Sequence, residues 1–220
     1  VTLTADAIPE PNETVIIGMS NVFAGTVSSG DIDVTDGATV TIINDDDASF
    51  SGDDPAVNEG DAGSTTLQFT VSLSDPAPAG GATVDYATSN GTATAGSDYT
   101  AIGTTTLSFL AGETSKTVDV SVAGDETVEV DETLTLTLSN PTGTDVIIGD
   151  ATGTGTITND DQAAVTIADV AVNENSGTAT ITVSLDNAVD GGFDVNVNTA
   201  DGTATTADAD YVAVTAQTLT

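Results

Sequence analysis

Hydrophobic and polar residues alternate along much of the chain. Between Leu67 and Leu73, apolar side chains at odd positions alternate with Gln, Thr and Ser at even positions. The same period of two recurs in 117–122 and 133–138. This alternation predicts β-strands that turn one face to a core and a threonine-rich face to solvent. Further strands are predicted at 84–86, 107–109 and 154–157, and at 48–59 with a break near Pro55, which brings the number to seven.

Turn-forming residues separate these predicted strands. Examples are Asp75-Pro76, Asn90-Gly91 and Asn140-Pro141, which favour reversals of the chain. No segment shows a convincing helical period. Short alternating strands at this spacing predict an all-β fold built as a β-sandwich.

The pattern itself repeats, because the segment 43–46 returns as 158–161, which is 115 positions later. Residues 47–161 are expected to form one complete repeat. Residues 1–46 match the second half of that repeat, and residues 162–220 match its first half. We therefore expect either that the chain is part of a longer protein or that neighbouring copies complete the two half-repeats.

Composition narrows the function classes. The formal net charge is −34, with Lys116 as the single basic residue, and the chain has no histidine and no cysteine. Such a chain repels nucleic acid and anionic membrane surfaces and attracts cations. No apolar run is long enough to predict insertion into a membrane. Catalysis is not expected, because the usual nucleophile–base pairs are absent and aromatic residues make up 4%, without tryptophan.

Acidic residues recur at fixed places in the repeat. Asp125, Glu129 and Glu132 lie between two predicted strands, Glu59 lies near the start of the complete repeat, and the segment 159–161 follows its last strand. Loops on alternate connections of a Greek-key sandwich meet at one end, so we expect these carboxylates to converge. Crowded carboxylates with almost no cation to neutralise them favour a hard divalent ion, and Ca²⁺ suits a flexible set of oxygen ligands.

The order of motifs resembles the Calx-β domain family. It runs from Val57-Asn58-Glu59-Gly60 through the turn 90–99 and the acidic loop 125–132 to Asn159-Asp160-Asp161. The resemblance implies tandem immunoglobulin-like, seven-stranded β-sandwiches. The family is found in sodium–calcium exchangers, an integrin subunit and very large bacterial surface proteins.

The resemblance also implies a set of calcium ligands. In the middle repeat these are Glu59, Asn90, Asp125, the carbonyl of Thr127, Glu129, Glu132, Asn159, Asp160 and Asp161. In the first segment they are Asp6, the carbonyl of Ile8, Glu10, Glu13, Asp45 and Asp46. In the last segment they are Glu174 and Asp201. Asn90, Gly124 and Asn159 stand where the strongest binders carry acids. By contrast, Asp98 before Tyr99 is expected to turn the chain while the tyrosine packs and finds a hydroxyl partner.

We expect a structural module of a long extracellular bacterial surface protein, an adhesin stalk or fibre, in which Ca²⁺ stiffens the junctions between repeats. The expected partners are neighbouring repeats of the same chain and identical chains in a fibre. A cell-surface or glycan target is also open. Two alternatives remain at this point: a calcium-sensing regulatory module, and an adhesion module that binds glycans or proteins.

Overall fold

The structure is a computed structural model that describes residues 1–4, 12–18, 37–44 and 46–220. Within these ranges it contains fifteen strands, a short 3-10 turn at Glu174–Ser176 and no α-helix. The strands are β1 (Glu13–Ile17), β2 (Ala38–Ile42), β3 (Ala48–Gly52), β4 (Ala56–Asn58), β5 (Gly63–Leu73), β6 (Ala82–Asn90), β7 (Thr105–Phe109), β8 (Ser115–Gly124), β9 (Glu132–Thr142), β10 (Val146–Ile148), β11 (Thr152–Thr158), β12 (Val165–Ile167), β13 (Val183–Leu185), β14 (Val195–Val197) and β15 (Gln217–Leu219). No helix among the described residues has the length and apolarity to cross a membrane.

Strands β3 to β11 form a sandwich of two sheets. One sheet has four strands in the order β10-β3-β5-β8, and the other has five in the order β4-β11-β9-β6-β7. Neighbouring strands pair antiparallel except for β10 with β3 and β11 with β4. The predicted all-β, immunoglobulin-like architecture is confirmed.

The first strand of the sandwich is split, close to the predicted break. β3 pairs with β5 in the four-stranded sheet, whereas β4 pairs with β11 in the other sheet. Pro55 lies at the crossing and has no N–H for a ladder. The two preceding carboxylates cap the sheets on either side: Asp53 accepts the Thr70 N–H at 2.7 Å and Asp54 accepts the Thr154 N–H at 2.6 Å.

The last strand is split in the same way into β10 and β11, and sequence alternation predicted its second part alone. β10 is only three residues long and lies in the four-stranded sheet beside β3. The backbone N–H groups of Gly149 and Asp150 both donate to the Phe50 carbonyl at the crossing. Two switches of this kind fasten the sheets together along one edge of the sandwich.

Alternating residues fill the core as the pattern predicts. Along β5, Leu67, Phe69, Val71 and Leu73 are between 0% and 5% exposed. Phe50 and Phe109 meet edge to face with centroids 5.2 Å apart. Residues 153 and 155 on β11 are glycines, and a Cβ at 155 would lie 2.7 Å from the Phe69 ring. β11 can therefore approach β5 closely only because it carries no side chains there.

The flanking segments form smaller sheets. β1 pairs with β2, β12 with β13, and β14 with β15, each as a two-stranded antiparallel sheet. Apolar side chains on these segments stay in solvent, including Ile16 at 78%, Ile167 at 64% and Ile181 at 49% exposed. The large buried side chains of the described residues therefore all belong to the sandwich between β3 and β11.

Candidate cation site

Three acidic segments meet at one end of the sandwich because of the strand register. Thr158 at the end of β11 lies beside Asn58 at the end of β4, and Ile157 lies opposite Glu132 at the start of β9. Glu59 directly follows β4, and its N–H donates to the Thr158 carbonyl at 3.2 Å. The chain ends of β4, β8 and β11 thus bring residues 59, 125–132 and 159–161 together, as the sequence predicts.

The tightest group consists of Glu59, Asp160 and Asp161, whose carboxylate oxygens lie within 4.8 Å of one another. Glu59 is 6% exposed and Asp161 is 9% exposed. The Oδ2 atom of Asp161 is buried and has no hydrogen-bond partner. A buried carboxylate oxygen without a partner is costly, so this atom favours a positively charged ligand.

Asp160 ties the end of β11 to the Glu59 turn. Its Oδ1 accepts the Gly60 N–H at 3.0 Å, and its Oδ2 accepts the Asn58 amide at 3.2 Å. Carboxylate oxygens have more than one lone pair each, so both retain the capacity to bind a cation. Asp160 therefore positions the turn and still offers charge to the group.

Gly124, the last residue of β8, lies under the same turn. A Cβ at this position would come 2.7 Å from the Glu59 carbonyl oxygen and would collide with the Gly60 carbonyl. Gly124 stands where the strongest calcium-binding members of the Calx-β family carry an acid. In this chain the close approach of two backbones occupies that space, and Glu59 is held against the loop that begins at Asp125.

Backbone hydrogen bonds to side chains hold the loop between β8 and β9. Asp125 accepts the Thr127 N–H at 2.6 Å and so closes a tight turn. The side-chain oxygen of Asn159 accepts the Glu129 N–H at 3.0 Å, and its amide donates to the Asp161 carbonyl at 3.2 Å. Asn159 thus serves to fasten the loop to the segment after β11.

The group is electrostatically strained. Burial raises the pKa of Glu59 to about 7, with the charges of Glu129, Asp125, Asp161 and Asp160 adding to the effect. Burial likewise raises the pKa of Asp161, and the neighbouring charges of Asp61, Asp160, Asp125 and Glu126 raise it further. These acids therefore resist ionisation together unless a cation joins them.

The single basic side chain contributes nothing to this end. The Nζ of Lys116 is 2.8 Å from Glu113 and 5.7 Å from the centre of the Phe109 ring. Both contacts lie where the end of β7 connects to the start of β8. No Lys or Arg side chain is thus left to neutralise the acids around Glu59.

A second crowded pair lies beside the first group. Burial and a hydrogen bond that the protonated Glu132 carboxyl donates to Asp98 raise the pKa of Glu132 to about 7, and the charges of Asp98, Glu129 and Asp190 add to the shift. Asp98 is expected from the sequence to have a structural role, and the structure shows one, because its Oδ2 accepts the Thr94 N–H at 2.6 Å. The structure adds that Asp98 also faces Glu132.

Tyr99, the residue after Asp98, packs in the core and finds a hydroxyl partner, as the sequence predicts. It is 2% exposed, and its hydroxyl donates to the side-chain oxygen of Asn90 at 2.8 Å. The same Asn90 oxygen accepts the Ala95 N–H at 3.0 Å. Asn90, a candidate ligand from the sequence, is thus engaged in its own turn.

Of the two candidate positions in the last segment, Asp201 repeats this turn. Asp201 accepts the Thr206 N–H at 3.1 Å and the Tyr211 hydroxyl at 2.7 Å. Glu174 is exposed and begins the 3-10 turn. Neither residue is part of the tight group around Glu59.

The candidate positions in the first segment are described in part. Glu13 is exposed at the start of β1 and Asp46 is half-buried. The side-chain amide of Asn44 donates to the Asp46 carbonyl at 3.0 Å, as that of Asn159 does to Asp161. Asp6, Ile8, Glu10 and Asp45 lie outside the described residues.

Four acids near the site were missed by the sequence reasoning: Asp61, Asp98, Glu126 and Asp190. Asp61 lies two residues after Glu59, and Glu126 adjoins Asp125, so both could have been inferred from proximity along the chain. Asp190 gives no such signal. It belongs to the segment after the complete repeat, and only the folded arrangement brings it near.

The donor set fits a hard divalent cation. All the groups at this end are carboxylate, carbonyl or amide oxygens, and His and Cys are absent from the chain. Such ligands suit Ca²⁺ or Mg²⁺ and disfavour zinc and copper. The buried, unpartnered oxygen of Asp161 is the position such an ion would satisfy.

The chain is similar to several solved structures. One, described as the apo-form Calx CBD1 domain, shares 24% identity over 53% of this chain and 100% of its own length, with a TM-score of 0.43. A second, CBD12 from CALX1.2, shares 26% identity over 53% of this chain and 48% of its own, with a TM-score of 0.44. A third, described as calcium binding domain CBD12 of CALX1.1, shares 28% identity over 50% of this chain and 46% of its own, with a TM-score of 0.41.

No curated protein is similar enough to the chain to count as a match. The sequence profile of the Calx-beta domain matches residues 44–171 and again residues 157–220. Two consecutive matches cover more than half of the chain and agree with the repeat in its sequence. The chain belongs to the Calx-beta domain family.

Proposed function

We propose that this chain is a calcium-stabilised structural repeat of a long extracellular bacterial surface protein, an adhesin stalk or fibre. In this proposal Ca²⁺ binds among Glu59, Asp160, Asp161 and the loop at Asp125–Glu132. The observation that carries it is the buried, unpartnered Oδ2 of Asp161, in a group of three acids that each place a carboxylate oxygen within 4.8 Å of the others. The role is mechanical and electrostatic, without catalysis.

The position of the group supports an effect on the junction between repeats. Asp161 directly precedes the linker to β12. The linker is held on its other side by the last segment, since Asp186 accepts the Ala164 N–H at 2.6 Å and Asn187 donates to the Gln162 carbonyl at 2.9 Å. An ion bound to Asp161 would thus fix a linker that is anchored at both ends.

Repetition supports a stalk. Asn44 makes the same contact to Asp46 that Asn159 makes to Asp161, so the junction motif occurs at both ends of the complete repeat. Similar junctions between similar domains produce a rod whose stiffness depends on the junctions. The proposed partners are neighbouring repeats and identical chains, with a cell surface as the location.

Thermal unfolding with and without calcium tests the proposal. We expect Ca²⁺ at millimolar concentration to raise the Tm of the chain above its value in chelator, because a ligand that binds the folded state stabilises it. Asp161→Asn removes one charge from the tight group and is expected to abolish most of this gain.

Asp119→Asn is the matched control. Asp119 lies on β8 and accepts a hydrogen bond from Gln68 at 2.8 Å, on the exposed side of the sandwich. The Asp119→Asn substitution removes the same charge outside the site. The calcium-dependent gain in Tm of this variant is therefore expected to equal that of the parent. Equal Tm values for the parent in calcium and in chelator would contradict the proposal.

A further inference from the structure

The acidic loop of the complete repeat is docked onto the next repeat. The Val128 N–H donates to the Ala188 carbonyl at 2.9 Å, and the Asp190 N–H donates to the Val128 carbonyl at 2.9 Å. These two bonds form a short parallel bridge between Val128 and Val189. Val128 lies between Asp125 and Glu129, so the bridge is part of the loop that holds the candidate ligands.

The bridge brings a carboxylate from outside the sandwich to the site. The Asp190 N–H lies 2.9 Å from the carbonyl of Val128, the residue before Glu129, so Asp190 adjoins the loop that carries the candidate ligands. Glu129 lies in the loop directly after Val128, and Glu132 is the first residue of β9. Asp190 is exposed, and no described basic side chain lies at this end to pair with it.

This acid is particular to the last segment. The Gly-Gly pair 191–192 corresponds to Gly80-Gly81 in the complete repeat, so Asp190 corresponds to Ala79. The same loop in the complete repeat therefore carries no charge at that position. The repeat that follows the junction at 159–161 therefore carries an acid, Asp190, where the repeat that follows the junction at 44–46 carries Ala79.

We propose that Asp190 is a cation-binding residue contributed by the following repeat, and that the Val128–Asp190 backbone bridge makes the site complete only when that repeat is docked. The inference rests on the proposed function, because the cation is the one held by Glu59 and Asp161. The buried, unpartnered oxygen of Asp161 is the observation that favours an ion in this group. The bridge shows that the next repeat reaches the loop that carries Glu129.

The proposal implies opposite effects in the two states of the site. Without cation, Asp190 adds repulsion to Glu129 and Glu132, so its charge destabilises the docked arrangement. With cation, the same charge attracts the ion. A residue with a purely structural role would change both states in the same direction.

Calorimetric titration of the 220-residue chain with CaCl₂ tests the proposal, together with Tm in calcium and in chelator. Asp190→Asn keeps the backbone bridge and removes the charge. We expect it to weaken calcium binding roughly fivefold, the size of one screened charge several ångströms from a divalent ion. We also expect it to raise the Tm in chelator. Asp190→Glu keeps the charge and is expected to restore most of the affinity.

Asp194→Asn is the matched control, since it removes the same charge four residues further along the same connection. It is expected to leave affinity within about twofold. If Asp190→Asn binds calcium as the control does, or lowers the Tm in chelator, the role of Asp190 is wrong while the proposed function stands. If the parent shows no calcium binding, the proposed function itself fails and the inference with it.

Discussion

The complete repeat and the last segment carry the same motifs and fold to different degrees. The turn at Asn90–Tyr99 and the turn at Asp201–Tyr211 make matching hydrogen bonds from tyrosine hydroxyl and backbone N–H to one side-chain oxygen. Yet Tyr99 is 2% exposed, whereas Tyr211 is half-buried. Local hydrogen bonding is thus set by nearby residues, and burial depends on strands that lie far away in the sequence.

The comparison extends to the core. The motif Thr-Val-Ser-Leu occurs at 70–73 and at 182–185. Leu73 is 5% exposed, and its counterpart Leu185 is 37% exposed. The same four residues therefore produce a core strand where a second sheet covers them and a marginal strand where none of the described residues does.

Truncation of the matched leucines should break the comparison most strongly. Leu73→Ala is expected to lower the free energy of unfolding of the complete repeat by about 2–5 kcal/mol, because it removes buried methyl groups and leaves a cavity. Leu185→Ala is expected to cost less than about 1 kcal/mol, because much of its side chain is already in solvent. Urea unfolding followed by circular dichroism measures both. Equal losses would mean that Leu185 is covered in solution.

Glu59 in the complete repeat and its counterpart Glu174 in the last segment should affect the pH dependence of stability differently. In chelator, Glu59 has a folded pKa of about 7 against an ordinary 4.5. The folded state then binds more protons between these values, so stability is highest below pH 4.5 and declines as the pH rises through 7. We expect the Tm in chelator to be higher at pH 5 than at pH 8, at about 4 °C for each kcal/mol.

Glu59→Gln should remove part of this pH dependence and raise the Tm at pH 8 in chelator, because the repelling charge is gone. Glu174→Gln changes the exposed counterpart and should leave the Tm unchanged at both pH values. Saturating calcium should also reverse the trend for the parent, since the ion displaces protons. Scanning calorimetry at the two pH values measures these shifts, and a Tm that rises with pH in chelator would contradict the assignment.

The matched tyrosines test the shared turn. Tyr99→Phe removes the donor to Asn90 inside the core and is expected to cost about 1–2 kcal/mol. Tyr211→Phe removes the equivalent donor to Asp201 in a more exposed turn and is expected to cost a few tenths of a kcal/mol. Chemical denaturation of both variants gives the difference. A larger loss for Tyr211 would show that its turn is buried in solution.

Exchange of the acceptors should have the smallest effect. Asn90→Asp gives the buried turn the same acceptor residue as the exposed turn at Asp201, and the carboxylate oxygen can accept the same two hydrogen bonds. We expect a change in stability within about 0.5 kcal/mol, as for most substitutions that keep their contacts. A loss well above 1 kcal/mol, measured by urea unfolding in chelator, would mean that the added charge is felt by the acids around Glu59.

Much of the sandwich could be predicted from the sequence. Alternation along 67–73, 117–122 and 133–138 located the core strands, because side chains on a strand point alternately to its two faces. The break near Pro55 followed from the missing N–H of proline. β10 could not be predicted, since three residues are too few to show a period and the strand depends on its partner β3 for its hydrogen bonds.

The candidate site was predictable in part. Acids at recurring positions pointed to Glu59 and to the segment 159–161, and the structure brings these together. The sequence did not predict that Asn159 links the acidic loop to the segment after β11. It also did not predict that Asp98 lies close to Glu132 or that the Asp190 segment docks on the loop. Each depends on the distance between atoms on different strands, which a single sequence does not contain.

The sequence by itself determined the strands, the turns, the charge and the repeat, because each of these depends on the chemistry of neighbouring residues. The tertiary structure decided which carboxylates share one buried space, which oxygen lacks a partner and which acid of the next repeat reaches them. The physical reason is that repulsion and burial act through space. Glu59 is 70 positions from Glu129 and 102 positions from Asp161, and their charges affect one another only after the strand register has brought the strand ends together.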